Sequence, residues 1–223
     1  MKFEKRIVVF LDILGFAALV ESAAREPEGD TAGRLNAALT TIQNLKLHLD
    51  DAVAPGTKLS NNHQPKLNIQ IFSDSVILSI LPDSESVEGL FEMLSKLFIN
   101  LMAQGVYIRG GIAFDQIFAN EDSPCGPGVN KSYQLESEIA DFPRIVLGKS
   151  VVDYCRLSAP NILDSALVER NDEDGVYSLE PIKHATVNLD SDPYGILSLA
   201  STIAAYLNHN LKSIVDHPRI FEK

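Results

Sequence analysis

Two cysteines, Cys125 and Cys155, are all that 223 residues contain, and their spacing matches no metal motif. So sparse a pair argues against a disulfide framework and reads as free thiols in a reducing, cytoplasmic setting. Basic charge is also short, since 19 Lys and Arg face 30 Asp and Glu for a formal charge of −11. Long nucleic acids need clustered cations, so they are a poor fit as partners. A membrane partner is not indicated either, because no basic amphipathic stretch occurs and the apolar run 7–20 is too short to span a bilayer. Lys2, Lys5 and Arg6 before that run, with Ala23 and Ala24 after it, imitate a signal peptide; Asp12 in its middle breaks the imitation. There is no P-loop, no dinucleotide fingerprint and no nucleophile elbow. The histidines (His48, His63, His184, His209, His217) show no zinc spacing and read as surface residues.

With 45% apolar and 22% charged residues, the composition is that of a globular protein long enough for one well-buried domain. Neither an internal repeat nor a clear linker divides it, so residues 1–223 read as a single domain. Ile7 to Leu11 is an apolar, β-branched run expected to form a buried strand. Helices are predicted over 16–24 and 31–49, and a loop over 51–65. Residues 66–72 and 75–81 read as a hairpin turning at Phe72-Ser73-Asp74-Ser75. Asp83 or Ser84 caps an amphipathic helix with Val87, Leu90, Phe91, Leu94, Leu97, Phe98 and Leu101 on one face, and Gly105 ends it. A strand over 106–114, a Gly/Pro-rich loop over 123–128, a helix over 129–140 and a strand over 144–147 follow. A hairpin over 167–179 and a helix over 193–215 complete the chain, the C-terminal part at 165–216 being appended to the rest. The order βααββαβ predicts an α+β fold of ferredoxin-like layout, with a mostly antiparallel sheet and helices on one face.

Two carboxylates stand out. Asp12 ends a run of five apolar residues, where burying a lone charge is costly; helix N-capping is the bland reading. Asp74 lies at the tip of an apolar hairpin, where turn chemistry is the bland reading. Taken together, carboxylates at the ends of neighbouring core strands are an efficient way to hold divalent cations. Their hard oxygens suit Mg²⁺ or Mn²⁺ better than zinc.

The stretch Phe10-Leu11-Asp12-Ile13-Leu14-Gly15-Phe16, continuing to Leu19 and Glu21, resembles the first-strand motif of class III adenylyl and guanylyl cyclase catalytic domains. Phe72-Ser73-Asp74-Ser75 resembles the hairpin with that family's second metal aspartate. Ile108-Arg109-Gly110-Gly111-Ile112 is similar to the strand leading to its active-site loop, and Gly126 to Asn130 to the loop and dipeptide opening its next helix. The resemblance spans residues 6–150 in order. Tyr133-Gln134-Leu135-Glu136 and Phe142-Pro143-Arg144-Ile145-Val146, with Arg109-Gly110-Gly111-Ile112-Ala113, bring the chain nearer the cyclases of Pycsar anti-phage systems. Those make cyclic CMP or cyclic UMP, which a separate effector senses.

The resemblance implies that Asp12, Asp74 and the backbone carbonyl of Ile13 bind two Mn²⁺ or Mg²⁺ ions, with Asn130 catalytic beside the aspartates. Phe16, Gln70, Ser123, Gln134 and Arg109 would contact a nucleoside triphosphate. It also implies a homodimer in which one protomer supplies the aspartates and its partner the Asn130 helix. Four positions depart from the family. Gln134 stands where the transition-state arginine is expected, Asp115 replaces a small residue, and Gln70 and Ser123 replace the Lys/Asp pair that reads adenine. The departures favour a pyrimidine substrate, UTP ahead of CTP, over a guanylyl cyclase or a silent cyclase-like module. Arg109, Arg144 and Lys183 are the candidates for the charge-stabilising cation, and a structural salt bridge is the competing reading of Arg109.

Overall fold

A computed structural model of the chain describes residues 3–45, 67–118 and 124–187. The predicted loop at 51–65, the helix at 193–215, Ser123 and every histidine except His184 lie outside those residues. The elements run β1 (Glu4–Ile13), α1 (Phe16–Arg25), α2 (Asp30–Gln43), β2 (Leu67–Phe72), β3 (Ser75–Ile80), α3 (Ser84–Ala103) and β4 (Ile108–Ile117). They continue with α4 (Pro127–Gln134), a π-helical segment Leu135–Ile139, β5 (Ile145–Leu147), α5 (Lys149–Ser158), α6 (Pro160–Leu163), β6 (Val168–Arg170), β7 (Tyr177–Leu179) and α7 (Pro181–Val187). The expected βααββαβ order is present. One sheet contains all seven strands in the order β2-β3-β1-β4-β5-β7-β6; only β4 and β5 run parallel. The fold is therefore α+β with a mostly antiparallel sheet.

The apolar run of β1 makes it the central strand, paired along its length with β3 and β4. Its side chains alternate between two faces. Ile7, Val9, Leu11 and Ile13 pack into a core with the predicted stripe of α3 and with Ala38 and Ile42 of α2. Each such aliphatic side chain contributes about 1.5–3 kcal/mol by leaving water. Asp83 caps α3, its carboxylate accepting from the Ser86 amide at 2.9 Å, and Gly105 ends the segment at φ 70°.

The opposite face corrects the one-sided expectation. Val8 and Ile117 form a second apolar cluster with Val129 of α4, so α4 and the π segment cover the side of the sheet away from α3. Glycines permit the approach. A Cβ at Gly111 would stand 2.3 Å from the Ser132 carbonyl and 2.5 Å from Leu135, while one at Gly128 would stand 2.9 Å from Val8. The Asp115 carboxylate bonds Lys131 of α4, and that contact holds its pKa below the usual carboxylate range. This gives the Asp115 departure a structural role. Sequence reading also left α5, α6 and α7 unassigned. Cys125 and Cys155 are free, as expected; burial pushes the Cys155 thiol up to about 11. His184 is half-buried, and desolvation lowers its pKa.

Candidate active site

Asp12 sits one residue before the end of β1, opposite Ser75 of β3 on one side and Arg109 of β4 on the other. Directly opposed residues share a sheet face, so all three side chains emerge on the α4 side. Asp74 lies in the two-residue turn between β2 and β3, made tight by Ser73 in the left-handed region at φ 54°. The Ile13 amide donates to the Asp74 carbonyl at 3.2 Å, and the Leu14 amide to the Tyr107 carbonyl at 2.8 Å. These bonds tie the end of β1 to the hairpin and to the start of β4 before Gly15, at φ 70°, turns the chain into α1.

The Asp12 carboxylate is 22% exposed and 4.0 Å from Arg109 Nη2. The Ser75 hydroxyl donates to it at 3.2 Å. Burial is the main reason its pKa is raised, and repulsion from Asp74 adds to the rise; Ser75 and Arg109 offset part of it. Two anions thus converge at the sheet end with too little positive charge between them. A divalent cation would relieve both costs. Among the described residues, no group of three or more His, Cys, Asp or Glu side chains converges as a metal cage. An ion here would take two carboxylates and complete its shell from backbone, phosphate oxygens and water, which suits Mg²⁺ or Mn²⁺. The residues fit such an ion, for which Asp12 and Asp74 would be the side-chain ligands, with Ile13 adjacent.

Glu136 is the residue to which sequence reasoning assigned no role. It lies in the π segment, is only 2% exposed, and meets Arg109 Nε. Burial raises its pKa first, Arg109 opposes that rise, and Asp12 adds to it. The signal available in sequence was its place in Tyr133-Gln134-Leu135-Glu136, but burial there depends on glycines far along the chain.

Other expected residues fall further out. Gln70 of β2 is half-buried on the same face, in the cross-strand row Gln70–Ile77–Phe10–Gly111. Tyr133 packs edge-on against Phe10 at 5.3 Å. Phe16 opens α1 and is partly buried against the main core. Asn130 is exposed on the first turn of α4. Gly128 rests near Val8 and Ile117, and Glu136 reaches Arg109, so Asn130 lies toward the end of the face away from Asp12. One chain does not bring the two together. Gln134 lines a separate groove of about 450 Å³ with Lys131, Glu138, Lys149 and Asp153. Arg144 is buried against Asp174 and Asp141, and Lys183 pairs with Glu169 at 3.1 Å. Of the three cations considered, Arg109 alone is beside Asp12.

No helix among the described residues is long and apolar enough to cross a membrane. No protein-family model matches the chain, and no curated protein does. Among solved structures it is similar to an adenylate/guanylate cyclase/hydrolase from Silicibacter pomeroyi, with TM-score 0.47, 12% identity and coverage of 80% of this chain and 96% of that one. It is also similar to a class III adenylyl cyclase-like ATP-binding protein from Pseudomonas aeruginosa, with TM-score 0.48 and 14% identity. That likeness covers 84% of this chain and 41% of the other.

Proposed function

We propose that this chain is a single-domain cytoplasmic nucleotidyl cyclase that closes a pyrimidine nucleoside triphosphate, UTP ahead of CTP, into its 3′,5′-cyclic monophosphate with release of pyrophosphate. The observation that carries the reading is the convergence of Asp12 and Asp74 at the end of adjoining core strands, where burial and mutual repulsion already raise the Asp12 pKa. Two Mn²⁺ or Mg²⁺ ions would supply activation of the 3′-hydroxyl and charge neutralisation on the phosphates. The chain's own work is positioning. Asp12 and Asp74, with the Ile13 carbonyl, would hold the ions. Arg109 offers positive charge to the phosphates. Gln70, with Ser123 and Phe16, contacts the base and sugar; an amide both donates and accepts, which tolerates a pyrimidine edge. Asn130 is exposed and far from Asp12 in its own chain, which favours a homodimer where it orients the ribose in the partner's site. Gln134 adjoins it there. The product would act as a messenger for a separate effector in anti-phage defence.

A second reading is a catalytically silent module that binds nucleotide. Gln134, uncharged where the related cyclases have arginine, favours it. Incubating purified protein with each of the four NTPs and Mn²⁺, then identifying products by mass, separates the readings. A cyclic product from UTP or CTP alone is expected. Products from GTP or ATP alone would remove the pyrimidine claim, and no product from any of the four would leave the silent module.

A further inference from the structure

Glu136 is a buried carboxylate for which the proposed chemistry has no use. It projects from a π-helical segment, closed by the Ala140 amide on the Leu135 carbonyl at 2.9 Å; such segments recur at functional sites. Gly111 lets this segment sit directly on β4, so Glu136 reaches Arg109 from above while Asp12 flanks Arg109 from the neighbouring strand. The guanidinium is therefore shared unequally. Its Nε contacts Glu136, whereas Nη2 stands off Asp12 at 4.0 Å. Were Arg109 to close fully on Asp12, it would occupy carboxylate oxygens that a cation needs.

We infer that Glu136 is a positioning residue that holds Arg109 back from Asp12, keeping the Asp12 carboxylate open for a divalent ion and the outer edge of the guanidinium free for phosphate. The inference rests on the metal role proposed for Asp12. The competing view, a salt bridge that only docks the helix on the sheet, predicts a stability effect with no specific effect on metal.

The test is Mn²⁺ titration by calorimetry on the full chain, with crystal structures of the same metal-free variants. Glu136→Gln is expected to weaken Mn²⁺ binding about tenfold, and adding Arg109→Gln is expected to restore it, because the competitor is gone. Glu136→Asp keeps the charge but shortens its reach, so it too is expected to weaken binding. That variant also keeps the question open to test should Glu136→Gln fail to fold. In the variant structure Arg109 should close to hydrogen-bonding distance of Asp12. Unchanged affinity in both single variants, an equal loss with and without Arg109, or an Arg109 that has not moved would each overturn the inference. If the unsubstituted protein binds no Mn²⁺, or Asp12→Asn binds it equally well, the metal reading itself falls, and this inference with it.

Discussion

Arg109 and Arg144 stand side by side at the starts of the parallel strands β4 and β5 and each hold two carboxylates, yet Asp12 and Glu136 beside the first and Asp174 beside the second respond in opposite ways. Arg144 is 7% exposed, but its partner Asp141 is 77% exposed. Its other contacts are Asp174 at 2.6 Å, the Ile139 carbonyl at 2.6 Å and the ring of Phe142 at 4.2 Å. With the acids near water and the cation inside, Asp174 is held below the usual carboxylate range, its bond to Arg144 being the main cause. Around Arg109 the acids are the buried partners, and both Asp12 and Glu136 are pushed up by desolvation. Arg144 acts as a structural pin whose acids stay near water. Arg109 faces two acids that are themselves desolvated, and the site it serves has room for more positive charge.

The largest expected effect comes from removing that demand. Asp12→Ala or Asp74→Ala should cut turnover at least about 10³-fold, comparable to losing a principal charge-stabilising group. The far-ultraviolet circular dichroism should not change. Arg144→Met should spare the chemistry by comparison. Turnover retained in either aspartate variant would sink the metal role and erase the contrast between the two arginines.

Much of this contrast was legible in the chain. Asp12 was conspicuous because a carboxylate ends an apolar strand, and Asp74 because a hairpin placed it next door. The capped helix α3 and the hairpin partners followed from local pattern. What escaped depends on contacts distant in sequence. Glu136 looks solvent-facing in Lys131-Ser132-Tyr133-Gln134-Leu135-Glu136 until Gly111 and Gly148 let that segment down onto the sheet. Arg6, which looks like part of a charged leader, is fully buried, bonding Glu4 at 2.7 Å and the Ser79 hydroxyl at 3.3 Å. The helix expected over 129–140 is present, but its place on the second face was not expected, although the unbroken apolar run of β1 is what a strand covered on both sides requires.

Gly111 sharpens the comparison because the contact it permits falls on Ser132, Leu135 and Glu136, next to Arg109. A methyl group there meets helix backbone rather than a flexible side chain, so Gly111→Ala should cost about 1–3 kcal/mol in urea unfolding. It should also weaken Mn²⁺ binding, because it lifts Glu136 away from Arg109. A variant as stable as the parent, with undisturbed metal affinity, would show that the close helix–sheet contact is not needed for the site.

The smallest effects are the most diagnostic, because the two clusters should titrate with opposite signs. Asp174 has a depressed folded pKa, so its contribution to stability is present above the ordinary carboxylate value and is lost as pH falls through the folded value. The destabilisation caused by Arg144→Met should therefore be full at neutral pH and shrink in strong acid; the bond to Ile139 and the stacking on Phe142 leave a remainder. Asp12 has a raised folded pKa. Its burial penalises folding only once it is ionised, so the penalty is absent below the ordinary value and grows as pH rises through the folded one. Asp12→Asn should accordingly melt above the parent at neutral pH without metal, with the advantage vanishing on acidification and reversing when Mn²⁺ stabilises the parent alone. Calorimetric melting of both variants across this range checks the pair. Curves that move in the same direction would mean that Asp12 is as well compensated as Asp174, and that the sheet end near Asp12 has no unmet demand for a cation.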